Sequence, residues 1–143
     1  MSKYVQGIFQ PTHPEKYAGV GSIKFRSSWE MIFMRFLDNH PSVISWASES
    51  MKIPYRNPLT GKQTVYVPDF FVVYQDANGQ NHAELIEIKP LKETSLAAAK
   101  SRRDKLAVAL NMAKWQAASQ FCKMQNIRFR VISEADMFQQ GKT

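Results

Sequence analysis

"VPDFFVVYQDANGQNHAELIEIKP", residues 67–90, reads as two apolar strand-like runs folded about Asn78-Gly79. Three charges interrupt it: Asp69 in the first arm, and Glu87 with Lys89 in the second. Side chains alternate along a strand, so Ile86 and Ile88 point one way while Leu85, Glu87 and Lys89 point the other. As decoration on an edge hairpin, Glu87 and Lys89 form a solvated ion pair of little worth. Joined by Asp69, they become a site. The loop decides between these readings. A two-residue Asn78-Gly79 turn sets Asp69 opposite Ile88, facing away from Glu87. A three-residue loop or a bulge sets Asp69 opposite Glu87 or Lys89 instead. A working site requires one of these odder registers.

Upstream, SSWEMIFMRFLDNHP reads as a helix of about three turns, opened by Ser27 or Ser28 and stopped before Pro41. SVISWASESMKIPY has strand composition up to Pro54, and RNPLTGK is a turn. Beyond the hairpin, KPLKETS leads into a long helix expected from near Ser95, with Leu106, Leu110, Ala113, Ala117 and Met124 as its buried side. IRFRVIS is a final strand in which Ile127, Phe129 and Val131 alternate with Arg128 and Arg130. Residues 1–25 show no sustained period and read as an irregular N-terminal arm; residues 134–143 form a short tail. The result is one α/β domain over residues 1–143, in the order helix-strand-strand-strand-helix-strand. Its mixed sheet is flanked by helices on both sides.

Composition narrows the chemistry. The net charge of +7, from 19 Lys plus Arg against 12 Asp plus Glu, favours a polyanionic partner such as DNA or RNA. No apolar run approaches the ~20 residues of a membrane span, so no membrane partner is expected. The N-terminal MSKYVQGIFQPTHPEKYAG lacks the unbroken apolar run of a signal peptide, which argues against export. His13, His40, His82 and Cys122 are too scattered for a zinc site. Cys122, the only cysteine, sits among Ala, Phe and Met and reads as core.

Glu30 is the remaining misfit. It lies amid the apolar stripe of Phe33, Met34 and Leu37, where an unpaired carboxylate is costly. Ser27-x-x-Glu30 fits a capping box, in which Glu30 reaches back to the Ser27 amide. A metal-facing role is equally compatible if the helix start points at the hairpin. Two or three carboxylates from separate elements can hold a hard cation such as Mg²⁺, and a nearby lysine can orient water or offset developing charge. That combination suits phosphodiester hydrolysis.

Pro68-Asp69 followed by Glu87-Ile88-Lys89 resembles the PD-(D/E)XK nuclease signature, and the order of elements is similar to that superfamily's restriction-endonuclease-like core. QGIFQPTHPEKY, RSSWEMIFMRFLD, WASESMKIPY, YVPDFFV, IEIKP and AKWQAASQFC resemble the head-completion nuclease family of large contractile-tailed phages, over roughly residues 6–122. SSWE and PDF also look like the transposon-end endonuclease subunit. The resemblance implies Asp69 and Glu87 as metal ligands, Lys89 as the catalytic lysine and Glu30 as an acid from the first helix that joins them. It implies Mg²⁺ as cofactor, with Mn²⁺ as the alternative. DNA would be the substrate, and phage portal or neck proteins are candidate partners. The setting would be the host cytoplasm during phage assembly, or the virion itself.

Lys92, Lys100, Arg102, Arg103 and Lys105, near the start of the long helix, are candidate phosphate contacts, with a solvated helix face as the alternative. Lys114 and Gln116 fall where some superfamily members place a supporting polar residue. Glu49 reads as a polar residue on a strand face. The rival to a nuclease is a structural neck or DNA-binding protein that keeps the fold without cleavage. Endonuclease or exonuclease action and oligomeric state stay open at this level.

Overall fold

The computed structural model describes residues 6–94, 97, 99–134 and 136. Lys3 and Tyr4 of the N-terminal arm, Ser95, most of the tail and the Lys92 side chain lie outside the described residues.

The first helix, α1, spans Ser28–Asn39. Ser27 caps it, its Oγ accepting the Glu30 amide at 3.1 Å. The apolar stripe of Phe33, Met34 and Leu37 is buried, as its spacing requires. Four strands then build the central sheet: β3 (Val43–Ser48), β6 (Phe70–Gln75), β7 (Asn81–Ile88) and β8 (Arg128–Ile132), in spatial order β3-β6-β7-β8. β6 runs antiparallel to both of its neighbours, β3 and β7, and β8 runs parallel to β7. A parallel neighbour needs a long crossover, which the helix α2 (Arg102–Met124) supplies. Among the described residues no helix is long and apolar enough to cross a membrane.

The sheet separates two cores. On one face Phe70, Val72, Ile86, Ile88 and Ile132 pack with Phe33, Met34 and Leu37 of α1. On the other, Leu85, Phe71 and Phe129 meet Ala118, Cys122 and Phe121 of α2. The helix-strand-strand-strand-helix-strand order is therefore carried by α1, β3, β6, β7, α2 and β8, a restriction-endonuclease-like α/β fold.

Three details depart from the sequence reading. SVISWASESMKIPY is not one strand: the chain leaves the sheet after Ser48, and Ile53–Arg56 (β4) pairs instead with Gln63–Tyr66 (β5) in a separate hairpin. Glu49, at a φ of 52°, makes that exit. The long helix starts at Arg102, because Ser101 takes the cap position and its Oγ accepts the Asp104 amide at 3.0 Å. Its buried side is Val108, Asn111, Ala118 and Cys122, while Leu106 and Met124 are exposed.

The N-terminal segment is also more ordered than an irregular arm. Gly7–Phe9 (β1) pairs with Ile23–Phe25 (β2). The buried Asp38 carboxylate accepts the Thr12 and His13 amides at 2.7 and 3.0 Å. Lys16 donates to the carbonyls of Leu37, Asp38 and His40, at the end of α1 where a cation is favoured. Tyr17 packs on Trp46 at 4.8 Å between ring centres.

Candidate active site

The hairpin takes the three-residue loop. The Asp76 amide donates to the Gln80 carbonyl at 2.8 Å, leaving Ala77, Asn78 and Gly79 between the paired ends. Asp76 Oδ1 accepts the Asn78 and Gln80 amides, both at 2.9 Å, and Gly79 supplies the required left-handed backbone at φ 80°. Phe70 then pairs with Ile86 and Tyr74 with His82. One step further, this register sets Asp69 across from Glu87 on the α2 side of the sheet. The Ile88 amide donates to Asp69 Oδ2 at 2.8 Å and fixes the carboxylate.

Glu87 is buried, with 5% of its surface exposed. Its Oε1 accepts the Tyr66 hydroxyl at 2.7 Å and its Oε2 lies 3.6 Å from Lys89 Nζ. Lys114 of α2 stands over the Tyr66 ring, 5.8 Å from its centre. Burial pushes the Asp69 carboxyl well above the usual range, and repulsion from Glu87 adds to this; the Ile88 amide opposes it. Burial also raises Glu87, against the pull of Lys89, the Tyr66 hydroxyl and Lys114. Burial and the neighbouring Lys89 lower Lys114. Desolvation and the Glu87 charge hold the Tyr66 phenol protonated far beyond its ordinary range, so it serves as a fixed donor.

These groups face a cleft of about 530 Å³ between the sheet, α2 and the β4–β5 hairpin. Asp69, Glu87, Lys89 and Lys114 line it together with Arg26, Glu49, Lys52, Tyr55 and Tyr66. Glu30, expected to join these acids, is not among the residues that line the cleft. Its Oε1 accepts the Arg26 amide at 3.3 Å, where the Ser27 amide was expected, and its Oε2 accepts the Ser27 hydroxyl at 3.3 Å. Its charge adds, as a lesser contribution, to the upward pressure on Asp69.

Among the described residues, no three His, Cys, Asp or Glu side chains converge as a metal-binding group. Asp69 and Glu87 converge as two. That donor set still fits a hard divalent cation, since Mg²⁺ is commonly held by one or two carboxylates, with water and substrate phosphate completing its shell. Two desolvated carboxylates, of which Glu87 pushes Asp69 towards protonation, also create the negative potential such an ion relieves.

Among the described side chains, Lys114 alone of the expected phosphate contacts reaches the cleft. Lys100, Arg102, Arg103 and Lys105 are exposed around the start of α2, and Gln116 is exposed further along it; none is part of the cleft wall. Sequence reasoning missed Arg26, Lys52 and Tyr66. Arg26 precedes the helix cap and Lys52 precedes β4, so neither lies in a periodic pattern. Tyr66 directly precedes the quoted hairpin and ends a strand that went unread.

The family model for the TnsA-like endonuclease N-terminal domain matches residues 40–134, which include Asp69, Glu87 and Lys89. The head completion nuclease of Enterobacteria phage T4 is 35% identical over 139 residues, covering 90% of this chain and 90% of that protein.

Proposed function

This chain belongs to the TnsA-like endonuclease N-terminal family and to that of the phage head completion nucleases, and from this we propose that it is a divalent-metal-dependent deoxyribonuclease. The carrying observation is the convergence of Asp69, Glu87 and Lys89 on one cleft, which depends on the three-residue loop. Asp69 and Glu87 are the residues that hold Mg²⁺, with Mn²⁺ as a substitute and Glu30 adding charge from the helix start. Such an ion, when bound, supplies neutralisation of the phosphate and activation of the attacking water. Lys89 offsets negative charge developing on the phosphate oxygens. Tyr66 holds the orientation of Glu87, and Lys114 adds a second cation behind it.

The 35% identity to a head completion nuclease supports a biological setting for this chemistry. On this reading the enzyme acts on phage DNA as heads are finished, in the host cytoplasm, with portal or neck proteins as neighbours. The test compares linear and circular plasmid DNA, with Mg²⁺ or EDTA, for wild type and Lys89→Ala. Metal-dependent cleavage by wild type alone is expected. Loss of linear DNA with circular DNA spared would identify an exonuclease. No cleavage by a folded wild type would remove the catalytic reading in favour of a structural neck protein.

A further inference from the structure

Arg26 and Glu49 form an ion pair across the mouth of the cleft. Both backbones are tied to the site. The Arg26 amide donates to Glu30 Oε1, and the Glu49 amide donates to the Asp69 carbonyl at 2.9 Å. Glu49 also adopts a φ of 52°, a conformation rare outside glycine, so its backbone holds a fixed and uncommon position. The side chains are freer: 58% of Arg26 and 34% of Glu49 is exposed. Among the described residues four cations line the cleft, Arg26, Lys52, Lys89 and Lys114. Lys89 lies 3.6 Å from the buried Glu87 and Lys114 also acts on its charge, whereas Arg26 and Lys52 are exposed to solvent.

An arginine fork fits a carboxylate and a phosphate with the same two-pronged geometry. Building on the proposed nuclease reading, we infer that Arg26 is a DNA backbone-phosphate contact, and that Glu49 occupies its guanidinium until a phosphate replaces the carboxylate. Glu49 is thus an internal stand-in for substrate, and entry of the strand is an exchange of partners at Arg26.

Binding of a fluorescent duplex in EDTA, followed by anisotropy across a salt series, tests the exchange without cleavage. E49Q should bind about two to five times more tightly, since an exposed ion pair need no longer be broken. R26Q should bind about five to ten times more weakly near 0.1 M salt, with a salt slope shallower by about 0.9. R26K, which keeps the charge without the fork, should restore the slope and only part of the affinity. The double variant R26Q/E49Q should match R26Q, because Glu49 acts through Arg26.

Equal tightening by E49Q in both the Arg26 and R26Q backgrounds would reduce Glu49 to general repulsion and overturn the exchange. So would an E49Q that loses Mg²⁺ affinity by calorimetry while binding DNA as wild type does. Melting curves identify any variant that fails to fold, in which case R26K and E49Q decide. A wild type that cuts DNA, with R26Q and E49Q binding unchanged, sinks this inference alone. A folded wild type that neither binds nor cuts DNA sinks the nuclease reading with it.

Discussion

Glu84 and Glu87 stand three residues apart on β7, both almost sealed from solvent, at 2% and 5% exposure. Each accepts a tyrosine hydroxyl at 2.7 Å, from Tyr74 and Tyr66 respectively. Each has a cation beside it, Arg130 at 3.2 Å from Glu84 and Lys89 at 3.6 Å from Glu87. Their surroundings nevertheless differ in kind. Glu84 faces α1, and its charge is matched by Arg130 on the adjacent strand β8. Glu87 faces α2 and shares its cleft with a second carboxylate, Asp69, which it pushes towards protonation. A buried acid that is neutralised locally holds two strands together. A buried acid crowded by another stores repulsion that a bound cation can relieve. The strand's alternation alone puts these two roles on opposite faces.

Substitutions on the two faces should separate activity from stability. The largest effect is expected on the α2 face: Glu87→Gln or Lys89→Ala should lower the DNA cleavage rate by about 100-fold or more, while the protein still folds cooperatively and Glu87→Gln melts no lower than wild type. Equal loss of fold and activity would erase the contrast. On the α1 face, Glu84→Ala should remove the shared partner of Tyr74 and Arg130 and cost about 1–3 kcal/mol in urea unfolding, with cleavage per folded molecule preserved. The two tyrosines repeat the test on a smaller scale. Tyr66→Phe should reduce cleavage or metal affinity by about tenfold, whereas Tyr74→Phe should cost about 1 kcal/mol of stability and leave cleavage alone.

The smallest expected effect has a definite sign. The folded protein raises the Asp69 carboxyl above its unfolded value, so it binds more protons there than the unfolded chain. The stability this contributes is fully present below the ordinary carboxylate range and lost as pH rises through the raised value. Asp69→Asn, which mimics the protonated acid, should therefore raise the metal-free melting temperature at pH 7 by roughly 3–6 °C. The gain should shrink as pH falls towards 4, where wild type is itself protonated. Mg²⁺ should then raise the melting temperature of wild type more than that of Asp69→Asn. A variant less stable than wild type at pH 7 would show that the two acids do not repel.

Much of this architecture was legible because strong local patterns carried it. Ser27 and the Phe33, Met34, Leu37 stripe defined α1, and alternation in Leu85–Ile88 sorted Glu87 from its apolar neighbours. Asp69 was visible as a misfit, but its partner depended on loop length, which Asn78-Gly79 leaves ambiguous between two and three residues. The β4–β5 hairpin escaped because its start, Ile53–Arg56, follows a strand of similar composition and only the backbone turn at Glu49 separates them. Leu106 and Met124 misled through apolarity alone; the buried stripe includes Asn111, whose amide reaches the Glu93 carbonyl at 3.3 Å. Arg26 and Lys52 went unseen for another reason. Charged residues in loops obey no period, and only folding brings them to a common wall.

The loop at Ala77-Asn78-Gly79 gives the family signature a hidden clause. A chain could keep every letter of Pro68-Asp69 and Glu87-Ile88-Lys89 and still be disarmed by losing one residue from that solvent-exposed loop. The loop would then ask for one alignment of the two arms, while the apolar faces of Phe70, Val72 and Ile86 ask for another. For motif searching, spacing is as much a part of the signature as spelling. For evolution, a single-codon deletion far from the acids is a route from enzyme to inert scaffold that leaves the motif intact.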